Sequence, residues 1–514
     1  AVSVFAATYT VNSTNDANDG TCDGTHCSLR EAMLAANGNV GADTIGFSVS
    51  GTISPGSLFP VLTDASGVTI SGGGNITLDG ADTISNGIEM HPDSSSNVVK
   101  GLTLKRFSNN AILMEGSNST LGGTGAGERN VLIDGSAGSN TLVMVNGSGM
   151  TIINNYLGVE SDGSTVNGAP NGIGIGASAS ALTIGGDASN ERNIISGNSI
   201  CGIVFVSAPS GAVTVIGNYI GTDSTGASAK ANGNGICTNT GLTFGAAITI
   251  GTTTAGEANL ISGNTTDGIN LVGTFNANVD IAGNVIGLNK DSNAALANGG
   301  DGIDLNGASC SLSVTCRIGS NTIGGNTGNG VHIRSTSSFF TLINNKIGND
   351  GTTAYANNVG ILIADTSNKI TIGSTDGTLD TPNIISGNTS HGVSITAAST
   401  GSVTIAENYI GINGAANAAL ANGGDGVNIT SSGGVTFGVA SSSSTLNLIG
   451  GNTGDGIDVT SNADTIGIYS SSIGVNNATD LGNGGDGIIV QGSPTAIVTI
   501  GNGTTGQNVV SGNA

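Results

Sequence analysis

Short apolar stretches alternate with polar ones along nearly the whole chain, with a period of two rather than 3.6. Gly392-Val-Ser-Ile395, Val403-Thr-Ile405 and Asn408-Tyr-Ile-Gly411 are typical: β-branched, of strand length, and separated by Gly, Asn and Ser turn residues. In the middle one the alternation predicts Val403 and Ile405 pointing inward and Thr404 outward. A Gly-Ile/Val-x-apolar signature recurs at Gly172, Gly202, Gly235, Gly268, Gly302, Gly330, Gly360, Gly392, Gly426, Gly456 and Gly487, in steps of 28 to 34 residues. Three short strands per step of about 31 residues predict an all-β protein, a three-faced parallel β-helix in which each coil pairs with the next. Parallel connections of this kind are right-handed, so a right-handed solenoid is expected. Less regular steps at Gly87-Ile-Glu-Met90, Ala111-Ile-Leu-Met114 and Asn140-Thr-Leu-Val-Met144 bring the expected total to about 14 coils.

A second rhythm lies over the first. Asn-apolar-apolar-x-Gly-Asn occurs at 193–198, 259–264, 383–388 and 508–513, and with small variations at 321–326 and 447–452. Asn-x-apolar-Gly alternates with it at Asn155, Asn218, Asn284, Asn345 and Asn408. Asparagine at strand ends predicts amide ladders that hydrogen-bond along the axis and satisfy the backbone at the corners.

The first 80 residues break this pattern. Ala1-Val-Ser-Val-Phe-Ala-Ala7 reads as a signal-peptide remnant, and Thr8-Tyr-Thr-Val11 begins a strand. Ser28-Leu-Arg-Glu31 is a capping box opening a short amphipathic helix from Leu29 to Asn37. Together with Thr10-Val-Asn-Ser-Thr-Asn-Asp16 and Asp19-Gly-Thr-Cys22, the run Cys27-Ser-Leu-Arg-Glu-Ala32 resembles the CSLREA domain, and all six signature residues are present. That family stands at the start of bacterial secreted or surface proteins with right-handed parallel β-helix repeats. The resemblance implies that Cys22 pairs with Cys27 and that 8–80 caps the repeats of 81–514.

Six cysteines, an even number without a Cys-x-x-Cys metal pattern, favour disulfides and an oxidising compartment. Cys310 and Cys316 form a close pair, whereas the pairing of Cys201 and Cys237, three positions out of register in neighbouring coils, stays open. Of 514 residues 88 are Gly, only 9% are charged and the net charge is -23. That balance excludes nucleic acid as a partner, which needs a basic stripe, and no apolar run is long enough to insert in a membrane.

Candidate chemistry must appear as a break in the repeat that gathers titratable groups. The charges of Glu128-Arg129, Glu191-Arg192 and Glu257 recur with the large repeat and read as turn caps. Asp267, Asp301, Asp425, Asp455 and Asp486 recur before the signature glycine, where stacking puts carboxylates about 5 Å apart unless turn N–H groups or Ca²⁺ relieve them. Gly299-Gly-Asp-Gly-Ile-Asp-Leu305 is similar to the calcium-binding nonapeptide of toxin repeats but is not tandem at nine residues. Asp16, Asp19 and Asp23 form a second calcium candidate; hydrogen-bonded turn aspartates are the favoured reading of the column, no cofactor is assigned, and structural Ca²⁺ is the alternative. The densest non-repeating group is Glu89, His91, Asp93, Lys100, Lys105, Arg106 and Glu115, with His91 and Glu115 at equivalent places on neighbouring coils. Tyr156, Tyr219 and Tyr409 share a repeat position but come from alternate coils and form no stacking track, and His332 and His391 lack a third ligand. Thr151, Thr183, Thr214, Thr249, Thr341, Thr371, Thr404, Thr436, Thr465 and Thr499 form an outward column, interrupted near Asp280 and Arg317.

These features favour an extracellular or cell-surface structural solenoid without catalysis, a rod, adhesin-like stalk or filament subunit. Its expected partners are copies of itself end to end, or cell-surface and polysaccharide ligands. The alternative is a polysaccharide lyase or hydrolase with its site between His91 and Glu115, and a minor one is ice binding by the Thr column. No catalytic residue is assigned.

Overall fold

The computed structural model describes residues 5–134, 141–365, 367–375, 382–396, 402–430, 433–438, 446–460, 465–476, 479–491, 497–501 and 507–514. Residues 1–4 of the leader-like segment and Asn140 lie outside them. Chain contacts divide the molecule into two compact units, 1–239 with 245–259, and 240–244 with 260–514. Each unit is a stack of parallel coils with three strands per coil, the architecture of a parallel β-helix.

In the first unit one column runs from Asn86–Met90 through Asn110–Met114, Thr141–Val145, Asn171–Ile175 and Cys201–Phe205 to Asn234–Thr238, six strands paired in parallel. A second column leads to Ile248–Ile250 and a third to Tyr219–Ile220. In the second unit eight described strands, Ile269–Phe275 to Ile488–Val490, form the first column. Its other columns include Val403–Ala406 and Asn408–Ile410. Val403 and Ile405 are fully buried and Thr404 is not, as the alternation requires. Apolar burial therefore sets the register, since a slip of one residue would turn every such pair outward. The signature glycines stack because coils approach closely there: a Cβ on Gly330 would lie 2.6 Å from the Gly360 carbonyl oxygen.

Inside each unit the corner asparagines form continuous ladders. In the first, side-chain Nδ2 groups donate to the next Oδ1 along Asn130, Asn155, Asn193, Asn218 and Asn259. In the second, one ladder links Asn284, Asn321, Asn345, Asn383, Asn408 and Asn447. The other links Asn264, Asn298, Asn326, Asn357, Asn388, Asn422, Asn452, Asn483 and Asn513, with every rung between 2.8 and 3.2 Å. Asn383 shows the full use of one amide. Its Oδ1 accepts both the backbone and side-chain N–H of Asn345, and its Nδ2 donates to Asn408 and to the Leu342 carbonyl. Buried amides satisfied in this way stabilise the corner, whereas the same groups orphaned would destabilise it.

Small lobes follow the Asn-x-apolar-Gly corners, closed by antiparallel bridges such as Val159 to Val166 and Ile412 to Ala419. In the second unit Ile412 and Ala416 of one lobe pack with Leu448, Leu481 and Tyr409, covering outward residues of the third column. No sequence pattern announced these lobes, because their Gly, Asn and Ser residues carry no apolar period.

At the amino end Leu29–Gly38 is the one α-helix among the described residues, and it buries Leu29, Glu31, Ala32, Met33 and Ala36. The capping box is formed: Ser28 accepts from the Glu31 N–H and Glu31 from the Ser28 N–H. Thr8–Val11 pairs with Asp43–Phe47, which pairs with Val68–Asp79 and so with Val98–Lys105. This segment thus joins the stack through its own strands as well as through its helix.

Replacing Asn383 by Ala orphans the Asn345 N–H and removes the donor to Asn408, and should lower stability by about 1–3 kcal/mol, read as faster local amide exchange in the flanking coils. Burial opposes ionisation of Glu31, but the N–H groups of Ser28 and Asp19, the Ser28 hydroxyl and His26 outweigh it and hold the carboxyl at about 2. A depressed carboxyl contributes stability above its ordinary value of 4.5 that is lost as pH falls toward 2. Acid should therefore loosen the helix segment over that window, and Glu31→Gln should abolish that contribution to the pH dependence while costing about 1 kcal/mol at neutral pH.

Candidate functional site

The early-coil charges separate into local pairs. The Glu115 N–H donates to the Met90 carbonyl, so neighbouring coils do bring the His91 and Glu115 backbones side by side. Yet among the described residues no ion pair joins their side chains. His91 Nδ1 lies 3.5 Å from Asp93 and accepts the Asp93 N–H. Lys100 pairs with Glu128 at 2.6 Å, and Arg106 grips both oxygens of Asp79 at 2.8 and 2.6 Å. Glu89 accepts from Asn86. Glu128 and Glu191 accept N–H groups from Gly125 and Ala188, the turn-capping role expected of the recurring acids.

The calcium candidates of the first unit do not form one cluster. Asp16 is held by Arg30 at 3.0 and 2.7 Å and accepts the Gly56 N–H, while Asp23 closes a turn by accepting from Thr25 and His26. Asp19 instead lies with His26 and Glu31.

In the second unit the aspartate column has a regular geometry. Oδ1 of Asp267 accepts the Asp301 N–H, Oδ1 of Asp425 that of Asp455, and Oδ1 of Asp455 that of Asp486. His391 takes the same place with Nδ1 on the Asp425 N–H. Each side chain thereby meets a backbone dipole rather than the carboxylate above it, which relieves the repulsion. The contact also explains the leading glycine of Gly-Asp-Gly: a Cβ on Gly454 would lie 2.3 Å from Asp425 Oδ1.

One stretch of this column gathers more. Asn329 stands where its neighbours carry Asp, and both its N–H and its Nδ2 donate to Asp301 Oδ1. On the adjacent outward row Asn270 pairs with Asp304 and Asp304 with His332. His332 Nδ1 lies 2.8 Å from Asp301 Oδ2 and 3.9 Å from Asp304 Oδ1. Arg334 grips Asp304 at 3.0 and 2.7 Å, and Asn270 donates to Asp304. Burial, and then the carboxylates of Asp304 and Asp301, push Asp267 above the ordinary range. A lesser grouping surrounds His391, where Asp458 is raised by burial and by Asp425 and Asp455. The residues around Asp304 were visible as separate His and Asp positions; their convergence depends on pairing across about 30 residues, which no local pattern reveals.

The threonine row is corrected in detail. Thr120, Thr151, Thr183, Thr214 and Thr249 are paired in register, as are Thr341, Thr371, Thr404 and Thr436, with Arg317 and Asp280 ion-paired in the second unit's interruption. Thr465 is not in the column: Thr436 pairs with Gly467, and Gly467 with Thr499. Burial of Ile466 and Ile468 leaves Gly467 as the outward residue between them. Tyr156 and Tyr219 are buried, with the guanidinium groups of Arg129 and Arg192 over their rings, 4.2 and 4.1 Å from the ring centres. Those contacts join two repeated positions that the sequence presented separately.

All three disulfides are formed, Cys22–Cys27, Cys310–Cys316 and Cys201–Cys237. The last joins neighbouring coils although Cys201 pairs in register with Asn234, because the Cα atoms lie only 6.2 Å apart.

No family model matches the sequence, and no curated protein matches it. Among solved structures, the A-module of mannuronan C-5 epimerase AlgE6 from Azotobacter vinelandii is similar over 97% of each chain, at 13% identity and a TM-score of 0.28. The AlgE4 A-module from the same organism covers 94% of this chain and 93% of its own, at 12% identity and a TM-score of 0.26.

Gly454→Ala should lower stability by about 1–3 kcal/mol through overpacking. Adding Asp425→Ala should recover part of that loss in thermal denaturation, because it removes the atom the new methyl strikes.

Proposed function

We propose that this chain is an extracellular or cell-surface structural β-solenoid, a rod, stalk or filament subunit. The supporting observation is that the recurring polar side chains are engaged along the axis, in buried amide ladders and in aspartates bonded to the next coil's backbone. Within each unit these bonds tie every coil to the next. Three disulfides with no free cysteine favour an oxidising compartment, and the resemblance of the first segment to CSLREA domains favours bacterial export.

A second reading, action on a polysaccharide, is favoured by the gathering of Asp267, Asp301, Asp304, His332 and Arg334 on one face of the second unit. It places the candidate site away from His91 and Glu115.

Electron microscopy of the exported protein, with a polysaccharide panel assayed for reducing sugars, unsaturated products and epimerised residues, tests both readings. Regular rods or filaments with silent assays are the expected result. Turnover that Asp304→Asn abolishes would overturn the structural reading in favour of the second.

A further inference from the structure

The outward face around Asp304 carries a feature that neither reading requires. Asp301, Asp304 and His332 each offer a ligand atom within 4.8 Å of the others. Asn329 beside them is 7% exposed, and its Oδ1 has no hydrogen-bond partner although its Nδ2 lies 2.9 Å from Asp301 Oδ1. Elsewhere in the column the side-chain acceptor takes the next coil's N–H, as Asp425 takes that of Asp455; the Oδ1 of Asn329 takes none. A buried amide oxygen without a donor is destabilising. Turning the amide would point Oδ1 at a carboxylate, which is favourable only with a cation between them.

The charges agree with that requirement. Three carboxyl groups, Asp267, Asp301 and Asp304, gather near one guanidinium, Arg334. The spacing is close to what an ion needs. Ligand atoms about 2.0–2.1 Å from a tetrahedral ion stand about 3.3 Å from one another. His332 Nδ1 is hydrogen-bonded to Asp301 Oδ2 at 2.8 Å and lies 3.9 Å from Asp304 Oδ1, so an ion replacing the shared proton needs the bonded pair to open by about 0.5 Å. Arg334, bonded to both oxygens of Asp304, and Asn270, bonded to its Oδ2, would orient that carboxylate as outer partners orient metal ligands. Side chains of His332 and Asp301 are 16% and 13% exposed, so an ion has a way in.

We propose that Asp301, Asp304 and His332, completed by the amide oxygen of Asn329, form a binding site for a divalent transition-metal ion of the zinc class. An imidazole among oxygen donors suits such ions, whereas calcium takes six to eight oxygens. The inference is independent of whether the solenoid acts on a polysaccharide.

Equilibrium dialysis of the full chain against Zn²⁺ alone, with ¹⁵N-histidine NMR, tests it. The wild type should bind one ion more than His332→Gln, with the His332 ring resonances shifted on loading and a tenfold excess of Ca²⁺ unable to displace that ion. Asn329→Asp, which restores the side chain its column neighbours carry and so keeps the fold, should tighten this ion about tenfold. Equal stoichiometry in wild type and His332→Gln, unshifted His332 resonances, displacement by Ca²⁺, or unchanged or weaker binding by Asn329→Asp would each overturn the proposal.

Discussion

Each coil must satisfy the hydrogen bonds of the coil before it, and that axial requirement governs the rest of the structure. A thin solenoid has little interior volume for apolar side chains, so its corners must be stabilised by something that repeats at the same spacing as the strands. Carboxamides do this because one group both donates and accepts. Once Asn345 and Asn383 are bonded, the strands that follow them are aligned, and Ile347 and Ile385 fall inward together. Burial and the corner amides thus specify the same register.

Repetition made the fold legible before any coordinates. Strand length, alternation, three strands per turn and the inward direction of Val403 and Ile405 follow from local chemistry read many times over. The amide ladders were legible for the same reason, since their asparagines sit in motifs. Intervening rungs such as Asn298, Asn357 and Asn422 lie in lobe sequences whose period is hidden, and only the spatial stack connects them to Asn264 or Asn388.

The grouping around His332 was obscured by the same repetition. Asp301 and Asp304 look like members of a structural series, and Asp301 is one, accepting the next coil's N–H. What distinguishes them is a neighbour about 30 residues away, and a histidine on an alternating strand carries no sign of what will stand opposite it. Thr465 shows the limit in reverse: a residue of the expected type at nearly the expected interval, displaced because the buried isoleucines fixed the strand two positions further on.

The amide ladders also have a sense. In every rung described, the nitrogen belongs to the earlier coil and the receiving oxygen to the later one. A polypeptide emerging amino end first therefore always presents finished coils whose donors point toward the chain still to come. Each new coil brings the matching oxygen as it arrives, so every finished turn offers its successor a row of donors already in place.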